Sequence, residues 1–132
     1  MKALIVDDSR VMRMVLSRIV SKMGYDVLEA GDGRAALNEL DRCGADELPV
    51  VALIDWNMPV MNGLEFVTAV RDRASFRDIT LMMVTTESEQ SQIVRALAAG
   101  AHEYLIKPFT PDALEDKFAI LGLAGAPEGT VG

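Results

Sequence analysis

Short apolar runs alternate along the chain with longer segments whose apolar residues recur every three or four positions. The runs predict five β-strands, at residues 2–6, 26–30, 50–54, 79–84 and 103–106. The intervening segments have helical periodicity and predict five helices, over residues 10–23, after 31–33, over 64–70 and 90–99, and from 111 onward. Strict alternation of strand and helix predicts a parallel sheet covered by helices on both faces.

The same periodicity assigns a buried face to each helix. The residues expected to face inward on the first helix are Val11, Val15, Leu16, Ile19, Val20 and Met23. Those expected on later helices are Ala36, Leu37 and Leu40, then Ile93, Val94 and Leu97, and finally Leu114, Phe118 and Leu121. The polar stretch 42–49 predicts a loop, and the sequence after Gly122 has no periodic pattern. We therefore expect one domain over residues 1–121 and a flexible tail over 122–132.

Polar side chains stand where four of the predicted strands end. They are Asp7 and Asp8, Asp55, Thr85 and Lys107. In open α/β sheets ligands bind outside the carboxyl ends of the strands, so we expect these five residues to gather at one edge. Taken singly, Asp7-Asp8 could be a helix cap, Thr85 a β-branched strand residue and Lys107 a solvated lysine. Asp55 is harder to explain structurally, because it follows the most apolar run in the chain.

Carboxylates that converge at one edge repel each other strongly. At ~4 Å and an effective dielectric constant of roughly 20, each pair costs about 4 kcal/mol. A hard cation offsets this repulsion, and an all-oxygen cluster without His or Cys favours Mg²⁺ over Zn²⁺. The spacing of the acidic residues does not match a Ca²⁺-binding loop. An ammonium and a hydroxyl beside such a cluster suit the oxygens of a phosphoryl group.

Composition narrows the class of protein. The chain has 132 residues, half of them hydrophobic and a quarter charged, which is typical of a soluble globular domain. A net charge of −7 without a basic cluster argues against nucleic acid as a partner. We also expect no membrane association and, from a single Cys43, a reducing cytoplasmic location. The only histidine, His102, is interpreted as a surface residue.

Four segments resemble a known family. LIVDDSR, LIDWNMPVMNGLE, LMMVTTESE and EYLIKPFTPDALEDKF are similar to the response-regulator receiver domain of two-component signalling, and within it to single-domain chemotaxis regulators. The resemblance extends over residues 2–121. It implies a flavodoxin-like (βα)5 doubly wound parallel sheet of strand order 2-1-3-4-5. It also implies a monomeric cytoplasmic switch that catalyses only its own phosphorylation and dephosphorylation.

The resemblance assigns the central chemistry to the strand ends. Asp55 would accept a phosphoryl group from a histidine kinase. Asp8, Asp55 and the backbone carbonyl of Asn57 would bind Mg²⁺ directly, and Asp7 would act through water. Lys107 would contact the phosphoryl oxygens.

Further positions would transmit and time the signal. Thr85 would move to hydrogen-bond the phosphoryl group, and Tyr104 would then move inward to fill the vacated space. Asn57 and Glu87 match the residues that tune the rate of dephosphorylation in the chemotaxis regulators.

The surface that would bind a downstream protein differs from the resembled proteins. Glu89 and Gln90 stand where those proteins have two lysines, whereas Tyr104 and Lys117 match. The output could be a flagellar motor switch, a histidine phosphotransfer protein in a phosphorelay, or a phosphate sink. A Mg²⁺-dependent phosphatase with an aspartate nucleophile is a weaker alternative, because Asn57 occupies the place of that enzyme's acid/base aspartate.

Overall fold

The five predicted strands form one parallel sheet in the computed structural model, which describes residues 1–123. The strands are β1 (Lys2–Val6), β2 (Asp26–Ala30), β3 (Val51–Ile54), β4 (Thr80–Thr85) and β5 (Glu103–Ile106). Their order is β2-β1-β3-β4-β5, which confirms the predicted topology. Strand β4 lies one residue later than predicted, so Thr85 is its last residue. The predicted tail lies, apart from Gly122 and Leu123, outside the described residues.

Five helices follow the strands in turn. They are α1 (Arg10–Lys22), α2 (Gly33–Arg42), α3 (Gly63–Arg71), α4 (Gln90–Ala99) and α5 (Pro111–Ile120). Helices α1, α2, α3 and α5 begin at side-chain caps, as at Thr110, whose hydroxyl accepts from the Ala113 N–H ahead of a proline at the first helical position. Two short 3₁₀ turns, Ala45–Glu47 and Ala74–Phe76, were not predicted. Among residues 1–123, none of the helices has the length and apolarity needed to span a bilayer.

The sheet separates two apolar cores. Alternate strand residues point to opposite faces, so Leu4 packs with α2, α3 and α4 whereas Ile5 packs with α1 and α5. Phe66 on α3 and Phe118 on α5 are fully buried at the centres of these two cores. Because both faces are covered, the central strands β1, β3 and β4 are apolar except at their ends, whereas the edge strand β2 carries Glu29 within the strand.

Helix α1 buries only part of the predicted face. Val11 is 70% exposed and Val15 is 41% exposed, and the buried line is Leu16, Ile19 and Val20. Residues four apart advance by about 40° around a helix with 3.6 residues per turn. Residues spaced four apart therefore rotate gradually around the helix and away from the core. Only those on the same side as Leu16 remain buried.

Helix α4 also departs from the prediction. It buries Ala96 and packs Ile93 and Ala99 against the core, whereas Val94 is 57% exposed and Leu97 is 42% exposed. The small Ala96 lets the helix lie close to the sheet, and the two larger residues then fall on its flank. Periodicity alone did not distinguish a narrow alanine face from the larger residues beside it.

The end of α5 differs in the same way. Helix α5 finishes at Ile120, so the predicted core residue Leu121 becomes its half-exposed C-cap. Leu123 packs against the second core instead, because its N–H donates to the Phe118 carbonyl and folds the chain back.

Arg71 and His102 join four elements at the edge of the sheet where the strands begin. The Arg71 guanidinium donates to the carbonyls of Gly100 (3.1 Å) and Ile79 (3.0 Å). His102 is exposed as predicted, but its Nδ1 accepts the Leu81 N–H at 3.1 Å and lies 3.2 Å from an Arg71 nitrogen. Burial first, and then the Arg71 charge, lower the pKa of His102. The folded protein therefore favours the neutral ring.

This arrangement predicts a stability loss at mildly acidic pH. Below the ordinary His pKa of about 6.5, the unfolded chain takes up the proton more readily than the folded protein, so the free energy of unfolding should fall as pH decreases. His102→Asn keeps an oxygen that can accept the Leu81 N–H but cannot titrate. Urea unfolding of both proteins from about pH 7.5 to pH 5.5 should show a smaller decrease for His102→Asn. Equal decreases in the two proteins would contradict this role.

Candidate functional site

The strand ends bring the predicted carboxylates together. The Asp7 N–H donates to the Ala30 carbonyl (3.1 Å) and the Asp55 N–H donates to the Val6 carbonyl (2.9 Å), so each ladder continues one residue past its strand. Asp7 is 1% exposed and Asp55 is 9% exposed, while Asp8 is exposed. One carboxylate oxygen from each of the three residues lies within 4.8 Å of the other two. The sheet therefore concentrates negative charge at this edge.

Lys107 counters part of that charge. Its ammonium lies 2.8 Å from Asp7 Oδ2 and 3.5 Å from Asp55 Oδ2, and its side chain is 11% exposed. The Lys107 N–H donates to the Thr85 carbonyl at 2.9 Å, which fixes the end of β5 beside β4. The following Lys107–Pro108 peptide bond is cis. Three carboxylates and one ammonium leave a formal charge of −2 on this cluster.

Asp7 is held on both of its carboxylate oxygens. Oδ1 accepts the Ser9 N–H at 2.8 Å, and Oδ2 accepts from the Lys107 ammonium at 2.8 Å. Arg13 in turn donates to the Asp7 carbonyl at 2.6 Å and pairs with Glu29 on β2. These contacts fix Asp7 as the buried support of the cluster. Arg13 was missed in the sequence because nothing local links it to Asp7.

The loop after β3 folds back onto Asp55. The Trp56 N–H donates to Asp55 Oδ1 at 2.8 Å, and the Gly63 N–H donates to the Trp56 carbonyl at 2.8 Å. Between them Val60 has a positive φ of 67° in a tight turn closed by the Met61 N–H on the Pro59 carbonyl. Asn57, the proposed carbonyl ligand, lies exposed in this loop.

Gly63 permits this close return. A Cβ atom placed on Gly63 would lie 2.3 Å from the Asp55 carbonyl oxygen and 2.9 Å from the Trp56 Cα. The position begins α3, where Asn62 and Glu65 form a reciprocal capping box. That Asn-x-x-Glu signature was available in the sequence as a marker of this boundary, but the need for glycine was not.

Thr85 and Tyr104 meet at the loop after β4. The Thr85 hydroxyl is buried and accepts the Glu87 N–H at 3.2 Å, and the Tyr104 hydroxyl donates to the Glu87 carbonyl at 2.7 Å. Burial, reinforced by the charges of Glu87 and Asp55, raises the pKa of Tyr104 to about 12, so the phenol keeps its proton. Tyr104 is only 8% exposed. The ring therefore lies inward in this structure, and its movement on phosphorylation stays a prediction.

The other residues predicted to face a partner are on α4 and α5. Glu89 and Gln90 are exposed at the start of α4, and Glu89 makes no side-chain cap. Lys117 on α5 pairs with Glu103 on β5 at 3.0 Å. Glu103 was missed in the sequence analysis, because its pairing spans two elements.

Comparison with known proteins identifies the class. A family model described as the response regulator receiver domain matches residues 3–119, and the chain belongs to this family. The match confirms the interpretation of the motifs and the expectation of a phosphoacceptor response regulator.

Individual relatives are chemotaxis proteins. Chemotaxis protein CheY1 of Helicobacter pylori is 43% identical over 122 residues, covering 92% of this chain and 96% of that protein. A chemotaxis protein CheY homolog of Campylobacter jejuni is 42% identical over 130 residues, 98% of each chain. The structure of the chemotaxis response regulator CheY4 of Vibrio cholerae superposes with a TM-score of 0.82 at 37% identity, covering 91% of this chain and 97% of that one.

The packing at Gly63 predicts a specific stability effect. Gly63→Ala should lower the free energy of unfolding by about 1–3 kcal/mol, because the new methyl group collides with the backbone at Asp55. Gly44→Ala is the matched control, since its Cβ would be 3.8 Å from the nearest atom, a Glu47 side-chain oxygen. Urea unfolding measures both variants. Equal stability of the two would show that the loop relaxes without cost.

Proposed function

We propose that a histidine kinase phosphorylates Asp55 in the presence of Mg²⁺, and that the modified protein signals through α4, β5 and α5 to a protein partner. The observation that carries the proposal is the placement of Asp55. Its carboxylate ends a buried strand, lies 3.5 Å from the Lys107 ammonium, and shares one edge with Asp7 and Asp8. The Asp55 carboxylate thus lies at the open carboxyl edge of the sheet, beside an ammonium that can contact phosphoryl oxygens and beside carboxylates that can bind a cation.

The cluster fits Mg²⁺. Asp8, Asp55 and the Asn57 carbonyl are the proposed direct ligands, and all are oxygen donors of the kind this ion prefers. Asp7 is proposed to act through water, because both of its carboxylate oxygens already accept hydrogen bonds. When bound, the ion shields the negative charge of the carboxylates and of the incoming phosphoryl group.

The transfer exchanges one bond for another. An Asp55 oxygen attacks the phosphorus of a phosphohistidine, forming a P–O bond as the P–N bond breaks. The imidazole leaves with the electron pair of the broken bond and takes up a proton, and Asp55 becomes an acyl phosphate. The acyl phosphate carries roughly −1.5 to −2 charges in place of the single charge of the carboxylate, and Lys107 would offset part of this charge.

The new phosphoryl group would change the loop after β4. Thr85 would donate its hydroxyl proton to a phosphoryl oxygen, which alters its present contact with the Glu87 N–H. The Tyr104 hydroxyl donates to the carbonyl of the same residue, Glu87, so a movement of Glu87 would also affect Tyr104. Changing the population of two states from 1:99 to 99:1 takes about 5.5 kcal/mol, a scale that a charged contact and a few hydrogen bonds can supply.

The output is proposed to be of the chemotaxis type. The relatives named above are chemotaxis proteins that match this chain over more than 90% of its length. A motor-switch component is therefore the proposed target, and transfer to a phosphotransfer protein is the alternative outcome. We further propose a monomeric cytoplasmic receiver over residues 1–121 that catalyses only its own phosphorylation and dephosphorylation, with Asn57 and Glu87 setting the rate of the second step.

The phosphoacceptor can be tested directly. Acetyl phosphate with Mg²⁺ should add one phosphoryl group to the wild-type chain, detected by intact mass and removed by hydroxylamine, which cleaves acyl phosphates. Asp55→Ala should abolish the addition, whereas Asp46→Ala, an exposed carboxylate at the opposite edge, should leave it unchanged. Labelling that survives in Asp55→Ala would refute the assignment.

Metal binding can be followed separately. Trp56 is the only tryptophan, is buried, and adjoins Asp55, so its fluorescence should report Mg²⁺ addition. Asp8→Asn should weaken Mg²⁺ binding by about tenfold or more, a change of about 1.4 kcal/mol, because it removes a charged ligand. Asp46→Asn serves as control. Unchanged affinity in Asp8→Asn would exclude Asp8 as a direct ligand.

A further inference from the structure

Helices α4 and α5 and the edge strand β5 present exposed apolar side chains. We refer to the exposed surface of these elements as the output face, and its apolar members are Val94, Leu97, Ile106 and Ile120. Their exposed fractions are 57%, 42%, 40% and 71%. Val94 and Leu97 are three residues apart and share one flank of α4. Ile106 shares a strand face with Tyr104, which packs in the core beneath α4, so Ile106 lies on the α4 side of the edge strand.

The positive charge on this face is neutralised. Lys117 is the only cation of α5, whose sequence PDALEDKFAI also contains three carboxylates. Its ammonium is 3.0 Å from Glu103 Oε1, the same oxygen that accepts the Tyr104 N–H. Lys117 is thus held against the protein by a carboxylate and offers little net charge to a partner.

The other cation near the face lies on the far side of α4. Arg95 is two residues from Leu97, about 200° around the helix, and it donates to the Gln92 side chain. By contrast, Glu89 at the start of α4 and Asp116 on α5 are exposed, and neither takes part in the ion pairs found among residues 1–123. The output face therefore has an apolar centre and a negative rim.

Helix α1 shows the opposite electrostatic character. It has four cationic residues and no acidic residue in the sequence RVMRMVLSRIVSK. Arg13 is paired with Glu29, whereas the other three are exposed and take no part in the ion pairs found among residues 1–123. It also exposes apolar side chains, among them Val11 and Met14. Two apolar surfaces of one molecule thus carry charges of opposite sign, and a partner's charge would decide which of them it prefers.

From this contrast we infer that the output face binds a basic amphipathic segment of the partner, with apolar side chains flanked by Lys or Arg. The apolar residues of the segment would cover Val94, Leu97 and Ile106, and its cations would lie near Glu89 and Asp116. The identity of this face as the signalling surface depends on the proposed function. The charge preference is a property of the surface in either state of the protein.

Two synthetic helical peptides test the preference. They share the same leucines on one face and carry either Lys or Glu at every polar position. Fluorescence anisotropy of labelled peptides, with the whole chain free or complexed with beryllofluoride and Mg²⁺, should show binding of the Lys peptide at least about tenfold tighter at low salt. Because the charges are exposed, the difference should shrink as salt is added.

Paired variants locate the site. Leu97→Asn should weaken binding of the Lys peptide, whereas Val11→Asn on α1 should not. Glu89→Lys with Asp116→Lys should remove the preference for the Lys peptide. Asp46→Lys with Glu47→Lys, an exposed pair at the opposite edge, makes the same change in net charge and should preserve the preference.

Several results would overturn the inference. They are equal affinity for the two peptides, no binding of the Lys peptide at millimolar protein, tighter binding of the Glu peptide, or loss of binding only in Val11→Asn. Self-association of the chain through this face would also overturn it, since the occupant would then be a second copy. If Asp55 is phosphorylated normally but the peptide experiments give one of these results, only this inference is refuted. If Asp55 is not phosphorylated but the Lys peptide is clearly preferred, only the proposed function is refuted.

Discussion

The placement of one ammonium between two carboxylates governs the site. Asp7 and Asp55 extend adjacent strands by one residue, so the backbone ladder forces their side chains to the same edge whatever their charge. Lys107, held by the ladder between β4 and β5, lies 2.8 Å and 3.5 Å from them and offsets their repulsion. Since Asp8 adds a third carboxylate, the compensation is incomplete. The remaining negative charge is the physical basis of the proposed Mg²⁺ site at this edge.

The rest of the fold keeps that geometry fixed. The central strands β1, β3 and β4 are buried on both faces, so their polar groups emerge at the strand ends. The loop after β3 closes on Asp55 through Gly63, and a side chain there would displace the carboxylate. The positions of the site's side chains are therefore set by backbone contacts, and the presence of the acidic residues alone does not determine them.

The burial of the strands explains why the sequence predicted the sheet and the strand-end residues better than the helix faces. The strands and the five strand-end residues followed from continuous apolar runs, because a doubly covered parallel sheet leaves few alternatives for such runs. The buried faces of α1 and α4 were partly wrong, since Val11 and Leu97 satisfy helical spacing yet lie on the flanks. The pairing of Lys117 with Glu103 is set by how a helix docks on a strand, and local sequence contains no record of that docking.

Tyr104 connects the two surfaces of the molecule. Its hydroxyl donates to the Glu87 carbonyl beside the carboxylate edge, while its backbone N–H donates to the Glu103 side chain that also holds Lys117. A movement of the loop at Glu87 therefore acts on a residue whose other end is fixed within the output face. Because the phenol remains protonated, with its pKa raised to about 12, this contact stays a donor to the carbonyl at physiological pH. In the proposed switch, coupling would therefore depend on displacement of the Glu87 carbonyl and would not require titration of Tyr104.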